Sequence, residues 1–148
     1  MRVPNGTTVL VADGSKMLIL ENRGEAFSPK LEVVSQSEQD LLPDRDIGTD
    51  GPGRSHSSVG RGRSALQETD FHRQAEDRFA MEAAGQLNER CRAANGSGII
   101  VIAPPRTLGK LRQHYQGEVA DKLIAEIAKD LTGHPVNDIA RLIVEYSE

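Results

Sequence analysis

The sequence predicts an α/β fold: a three-stranded antiparallel meander joined by one further central strand, with helices packed on the sheet. Three observations carry this prediction. Asp13-Gly14 separates two β-rich apolar runs, and Asp-Gly in that setting is a strong hairpin signal. Ile99 to Ala103 is the most apolar run of the chain and ends at Pro104-Pro105. A strand apolar on both faces suits the interior of a covered sheet. Elsewhere apolar residues recur at helical spacing over long segments.

Thr7 to Ala12 reads as the first strand and Met17 to Glu21 as the second. The turn between them is expected to use positive φ, which Asp and Gly tolerate. Asn22-Arg23-Gly24 marks the next reversal, and Leu31 to Gln36 reads as a third, more polar strand at an edge. From about Glu68 to Ala94 the pattern turns helical. Phe71, Ala75, Phe79, Ala83, Leu87 and Cys91 recur every four residues, with Ala80, Ala84 and Ala94 widening the stripe. Thr69 or Asp70 caps its start, and Asn95-Gly96 is a fitting stop.

Gly98 to Ala103 is then the fourth strand, with Pro104 and Pro105 forming a rigid corner. Thr107 is placed to cap a long helix whose apolar side is Leu108, Leu111, Tyr115, Val119, Leu123, Ile124, Ile127 and Leu131. Gly133 would end that helix. Pro135 suits the first turn of a last helix, Pro135 to Tyr146. The expected order is three strands, a helix, a strand and two helices. The last helix packs on its own domain or on another copy of the chain, so a homo-oligomer stays open. Strand four is expected beside strand one and parallel to it, through a right-handed crossover. This is the outline of the ribonuclease-H-like and ribosomal-protein-like folds, by analogy of element order.

With 148 residues, residues 1–148 read as one domain large enough for a genuine core. Aromatic residues make up only 3% of the chain, so the core must rest on Leu, Ile, Val and Ala. A net charge of -4 argues against nucleic-acid binding by the whole surface. A local basic patch is compatible with it. The single cysteine excludes an intramolecular disulfide. No secretory signal opens the sequence, and no apolar run is long enough to span a membrane. A cytoplasmic location without membrane insertion is therefore expected.

Residues 37–66 read as one long flexible loop whose charge changes partway. Glu38, Asp40, Asp44, Asp46 and Asp50 come first; Arg54, Arg61 and Arg63, with His56, follow among glycines. Two readings apply to the arginines. They contact RNA phosphates, or they stand in solvent and offset the acidic half. The loop has no aromatic residue on which bases would stack.

Catalytic patterns are missing. A two-metal nuclease needs carboxylates on the central strands, yet Val9-Leu10-Val11 and Ile102-Ala103-Pro104 offer none. Asp13 reads as a turn former. His56, His72, His114 and His134 lack metal-ligand spacing, and His134 is placed to meet the preceding helix's C-terminal end. No metal or other cofactor is expected. Cys91, on the apolar stripe, reads as a buried structural thiol. Arg106 differs, because it follows a buried strand at its carboxyl end, where α/β sheets bind ligands. It is either an anion site or a solvated corner residue.

Three motifs carry a family resemblance across nearly the whole chain: Val9-Leu10-Val11-Ala12-Asp13-Gly14-Ser15, Ala103 to Arg112, and Asp130-Leu131-Thr132-Gly133-His134-Pro135-Val136. With these the chain resembles the bacterial host attachment family, the proteins required for attachment to host cells. That family is similar to the middle domain of archaeal and eukaryotic peptide-chain release factors. The name implies a role in adhesion, which the missing export signal turns toward an indirect, intracellular one. The release-factor likeness implies a Gly-Gly-Gln loop between the third strand and the first helix, reaching the ribosome. Here Gly60-Arg61-Gly62-Arg63-Ser64-Ala65 stands in that place without the glutamine, so peptide release is not expected.

Two functions follow as expectations. One is a non-enzymatic binding or adaptor protein of the host attachment family with a protein partner. The other is an RNA- or ribosome-associated factor that lacks release chemistry. The candidate RNA- or anion-binding residues are Arg54, Arg61, Arg63 and Arg106.

Overall fold

A computed structural model describes residues 1–38, 72–92 and 98–146 of the chain. Its strands are β1 (Thr8–Ala12), β2 (Lys16–Asn22), β3 (Leu31–Glu38), β4 (Ile99–Ile102) and β5 (Leu123–Ile127). The helices among the described residues are α1 (72–92), α2 (Pro105–Arg112), α3 (Gly117–Lys122) and α4 (Val136–Glu145). The five strands form one open sheet in the order β3-β2-β1-β4-β5. β1, β2 and β3 pair antiparallel, whereas β4 is parallel to β1 and β5 is parallel to β4.

Two-residue periodicity divides the strands between two apolar layers. Leu10, Ile19, Ile99 and Val101 point into a layer with Phe79, Ala83 and Leu87 of α1 and with Leu108, Leu111 and Val119. Val9, Val11, Leu20, Ile100 and Ile102 face the other way and meet Ile139, Ala140 and Ile143 of α4. All five residues of β1 and all four of β4 are buried. α4 therefore packs on its own sheet. The four-residue stripe of α1 is buried at Ala75, Phe79, Ala83, Leu87 and Cys91.

The β1–β2 hairpin forms without positive φ. Among the described residues only Gly6 has it, at φ 86. Instead the Asp13 carboxylate makes the turn: its Oδ1 accepts from the backbone N–H groups of Ser15 and Lys16, each at 2.7 Å. The Asp13 N–H donates to the Lys16 carbonyl at 2.9 Å. Two side-chain bonds replace the backbone geometry that an Asp-Gly pair usually supplies. The next turn is organised by buried Asn22. Its Nδ2 donates to the Val3 carbonyl, and its Oδ1 accepts from the N–H groups of Gly24 and Lys30, all at 2.8 Å.

β3 is an edge strand with a register irregularity opposite Ile19 and Leu20. It runs to Glu38, so Ser37 and Glu38 belong to the sheet and not to the expected loop. The rest of that loop, residues 39–66, lies outside the described residues. So do the expected caps Thr69 and Asp70, Phe71, Ala94 and the Asn95-Gly96 stop.

The expected long helix from Thr107 is not formed. α2 ends at Arg112, α3 covers only Gly117–Lys122, and Leu123–Ile127 is a fifth strand. Leu123, Ile124 and Ile127 fit a helical stripe, but Ala125 and Ile127 are buried at alternate positions along β4. Pairing with an open edge outweighs the weak helical preference of such a short segment. The kink after α2 is held by Asn88, whose Oδ1 accepts from Gln116 N–H at 3.1 Å. Thr107 is not the cap either; Pro104 holds that position and Thr107 lies buried inside α2. His134 likewise does not meet a preceding helix's C-terminal end, because a strand precedes it; it stands just before Pro135, the N-cap of α4. It is exposed in the turn after β5, where its N–H donates to the Leu131 carbonyl.

Candidate functional site

β1 and β4 are adjacent and parallel, and they end at the same edge of the sheet. From there β1 turns back into β2 on one side, while β4 leads through α2 and α3 to β5 on the other. Strands whose connections part in this way leave a crevice beyond their carboxyl ends. The turn Asp13-Gly14-Ser15 forms one lip, and the corner Pro104-Pro105-Arg106 forms the other.

Glu76 of α1 enters this crevice. A Cβ placed on Gly14 would stand 2.7 Å from Glu76 Oε2, so the carboxylate in this position comes closer to the turn than a larger residue would allow without a shift. Glu76 Oε1 lies 3.4 Å from Arg106 Nη2 and 3.4 Å from Lys110 Nζ. Lys110 Nζ is also 2.9 Å from Asp77 Oδ1. Arg106 and Lys110 are four residues apart on α2, hence on one face of it. The result is a network of two cations and two carboxylates from two helices.

A second group of polar side chains ties the turn to the segment after β5. Thr132 Oγ1 is 3.0 Å from Asp13 Oδ2 and 2.8 Å from Asp130 Oδ1. The Thr132 N–H also donates to Asp130 Oδ1, at 3.2 Å. A hydroxyl has one hydrogen to give, so the two carboxylates share a single donor there. Asp13 thus both forms the turn and holds the β5–α4 connection.

Of the residues singled out from sequence, Arg106 is at this crevice, exposed and ion-paired with Glu76. Arg54, Arg61 and Arg63 lie outside the described residues. Cys91 is buried, and burial pushes its thiol above the usual range against the opposing charge of Lys122. Among the described residues no three His, Cys, Asp or Glu side chains come together as a metal-holding group. Lys110, Asp130 and Thr132 fall within motifs that carry the family resemblance, whereas Glu76 and Asp77 carried no local signal; only the fold gathers the five. The Gly14 position and the strand end before Arg106 were the available hints.

A family model described as bacterial archaeo-eukaryotic release factor family 12 matches residues 6–143. The chain belongs to that family. The match starts before β1 and ends inside α4, so the family 12 region contains the whole crevice. It carries the release-factor part of the resemblance; its description says nothing of host attachment. No curated protein matches this family 12 chain. No helix among its described residues is long and apolar enough to cross a membrane.

Proposed function

We propose that this protein is a non-enzymatic, ribosome-associated RNA-binding protein that works inside the cell and does not release peptides. The observation that carries the proposal is its membership of a release-factor-like family over residues 6–143, in a chain without a Gly-Gly-Gln sequence. Arg54, Arg61 and Arg63 stand, in sequence, where release factors carry that loop. In this reading they contact ribosomal RNA phosphates, with charge-assisted bonds supplying affinity and little base readout.

The test is sedimentation of the purified protein with ribosomes at low and raised salt. Cosedimentation at low salt is expected, weakened when Arg54, Arg61 and Arg63 are all changed to Ala. Each lost phosphate contact on single-stranded RNA should flatten the logarithmic salt dependence by about 0.7. Absence from ribosomes at low salt, together with recovery of a defined protein partner, would overturn the proposal in favour of an adaptor role.

A further inference from the structure

The crevice between the ends of β1 and β4 already contains an anion, the Glu76 carboxylate. We infer that Glu76 is an internal stand-in for an RNA backbone phosphate, which displaces it from Arg106 and Lys110 when RNA binds. This rests on the RNA-association reading above and adds to it a docking point with a built-in inhibitory contact.

Three features support an exchangeable anion. First, Arg106 is held loosely. Its side chain is 62% exposed, and it meets Glu76 through one nitrogen at 3.4 Å. An exposed ion pair of that kind is worth little, whereas a phosphate offers an arginine two oxygens in the fork geometry it binds best. Second, Lys110 has a separate anchor. Asp77 is 2.9 Å from its ammonium, so Lys110 stays in place when Glu76 swings away. Third, the position of Glu76 depends on Gly14. A Cβ at Gly14 would stand 2.7 Å from Glu76 Oε2, close enough to make the carboxylate shift, at the point of the sheet where α/β folds receive ligands.

The experiment measures the affinity of the full chain for a fluorescent single-stranded RNA oligonucleotide at low salt, with inorganic phosphate as a competitor. Glu76→Gln removes the competing charge and should tighten RNA binding about five- to tenfold, or roughly 1–1.4 kcal/mol. Gly14→Ala pushes Glu76 out of its place without changing charge, and should also tighten binding. Arg106→Ala should weaken binding and abolish the gain from Glu76→Gln in the double variant. Circular dichroism checks that each variant is folded; should Glu76→Gln fail to fold, Gly14→Ala decides.

Unchanged or weaker RNA binding in the folded Glu76→Gln and Gly14→Ala variants overturns the inference. If the Arg54, Arg61 and Arg63 variant still loses RNA in that case, the RNA reading itself stands. If no form of the protein binds RNA or ribosomes, both fall. If Glu76→Gln binds inorganic phosphate but not RNA, the crevice takes a free anion and the RNA assignment is overturned.

Discussion

The Thr132 hydroxyl lies 3.0 Å from Asp13 Oδ2, across 119 residues of sequence. It joins the first hairpin to the segment that leads into α4. Thr132 is buried, and valine replaces its hydroxyl with a methyl group while keeping the side chain's shape. Thr132→Val should therefore cost about 1.5–3 kcal/mol, the usual range for a hydrogen bond to a charged group. Asp13→Ala should cost more, because the turn bonds to Ser15 and Lys16 go with it. A double-mutant cycle by urea unfolding should return a coupling well above experimental error. Additive losses would show that the two side chains do not interact.

The Asn22 turn predicts a larger loss. Its side chain donates to the Val3 carbonyl and, at longer range, to those of Pro4 and Glu25, and accepts from the N–H groups of Gly24 and Lys30. Asn22→Ala should destabilise by about 3 kcal/mol, because buried backbone groups lose their partners. Gly24→Ala should be costly for a different reason. A Cβ there would stand 2.7 Å from Lys30 N and from Ser28 O, and backbone atoms yield poorly, so about 2 kcal/mol is expected. Urea midpoints measure both.

Much of this architecture is legible in the residues, where the signal is local. Asp13-Gly14 announced a hairpin, although the carboxylate closes the turn and positive φ does not. The double-sided apolar run at Ile99–Ile102 announced an inner strand because burial on both faces leaves no polar position. β5 was hidden because Leu123, Ile124 and Ile127 satisfy helical spacing, while its strand alternation rests on Leu123, Ala125 and Ile127. Only the open edge of β4 selects the strand. The crevice was half visible for a related reason. Arg106 sits beside a recognisable strand end, whereas Glu76 looks like any polar residue on the outer side of an amphipathic helix. Its role depends on Gly14, 62 positions earlier, and no periodicity in either segment reports that contact.

A tight contact at the start of β4 gives a milder expectation than Gly24. A Cβ on Gly98 would run into the Ile124 Cδ1 and Cγ1 atoms. These atoms end a side chain that is half-exposed on the edge strand, so the side chain can rotate away. Gly98→Ala should cost about 1 kcal/mol, and Ile124→Ala in the same chain should recover part of it. Thermal melting of the two single variants and the double variant tests this. A double variant less stable than the sum of its parts would mean that Ile124 does not supply the clash.

Alkaline stability tests the joint between α2 and β5. Arg112 binds Glu126 through Nε at 3.0 Å and Nη2 at 2.9 Å, and the Tyr115 hydroxyl donates to Glu126 Oε2 at 3.3 Å. Burial raises the Tyr115 pKa well above the usual range, with the Glu126 charge and hydrogen bond adding to it. The folded chain therefore keeps this proton when the unfolded chain has begun to lose it. Tyr115 contributes its full stabilisation below the ordinary tyrosine pKa of about 10, and stability falls as pH rises beyond that. Tyr115→Phe should cost about 1 kcal/mol at neutral pH by losing the hydrogen bond. Above pH 10 the variant should follow a shallower decline, so the two stability curves converge. Urea unfolding across pH 7 to 11 measures this, with Cys91 titrating equally in both chains. Parallel curves throughout that range would show that Tyr115 ionises as freely in the folded protein as in the unfolded one.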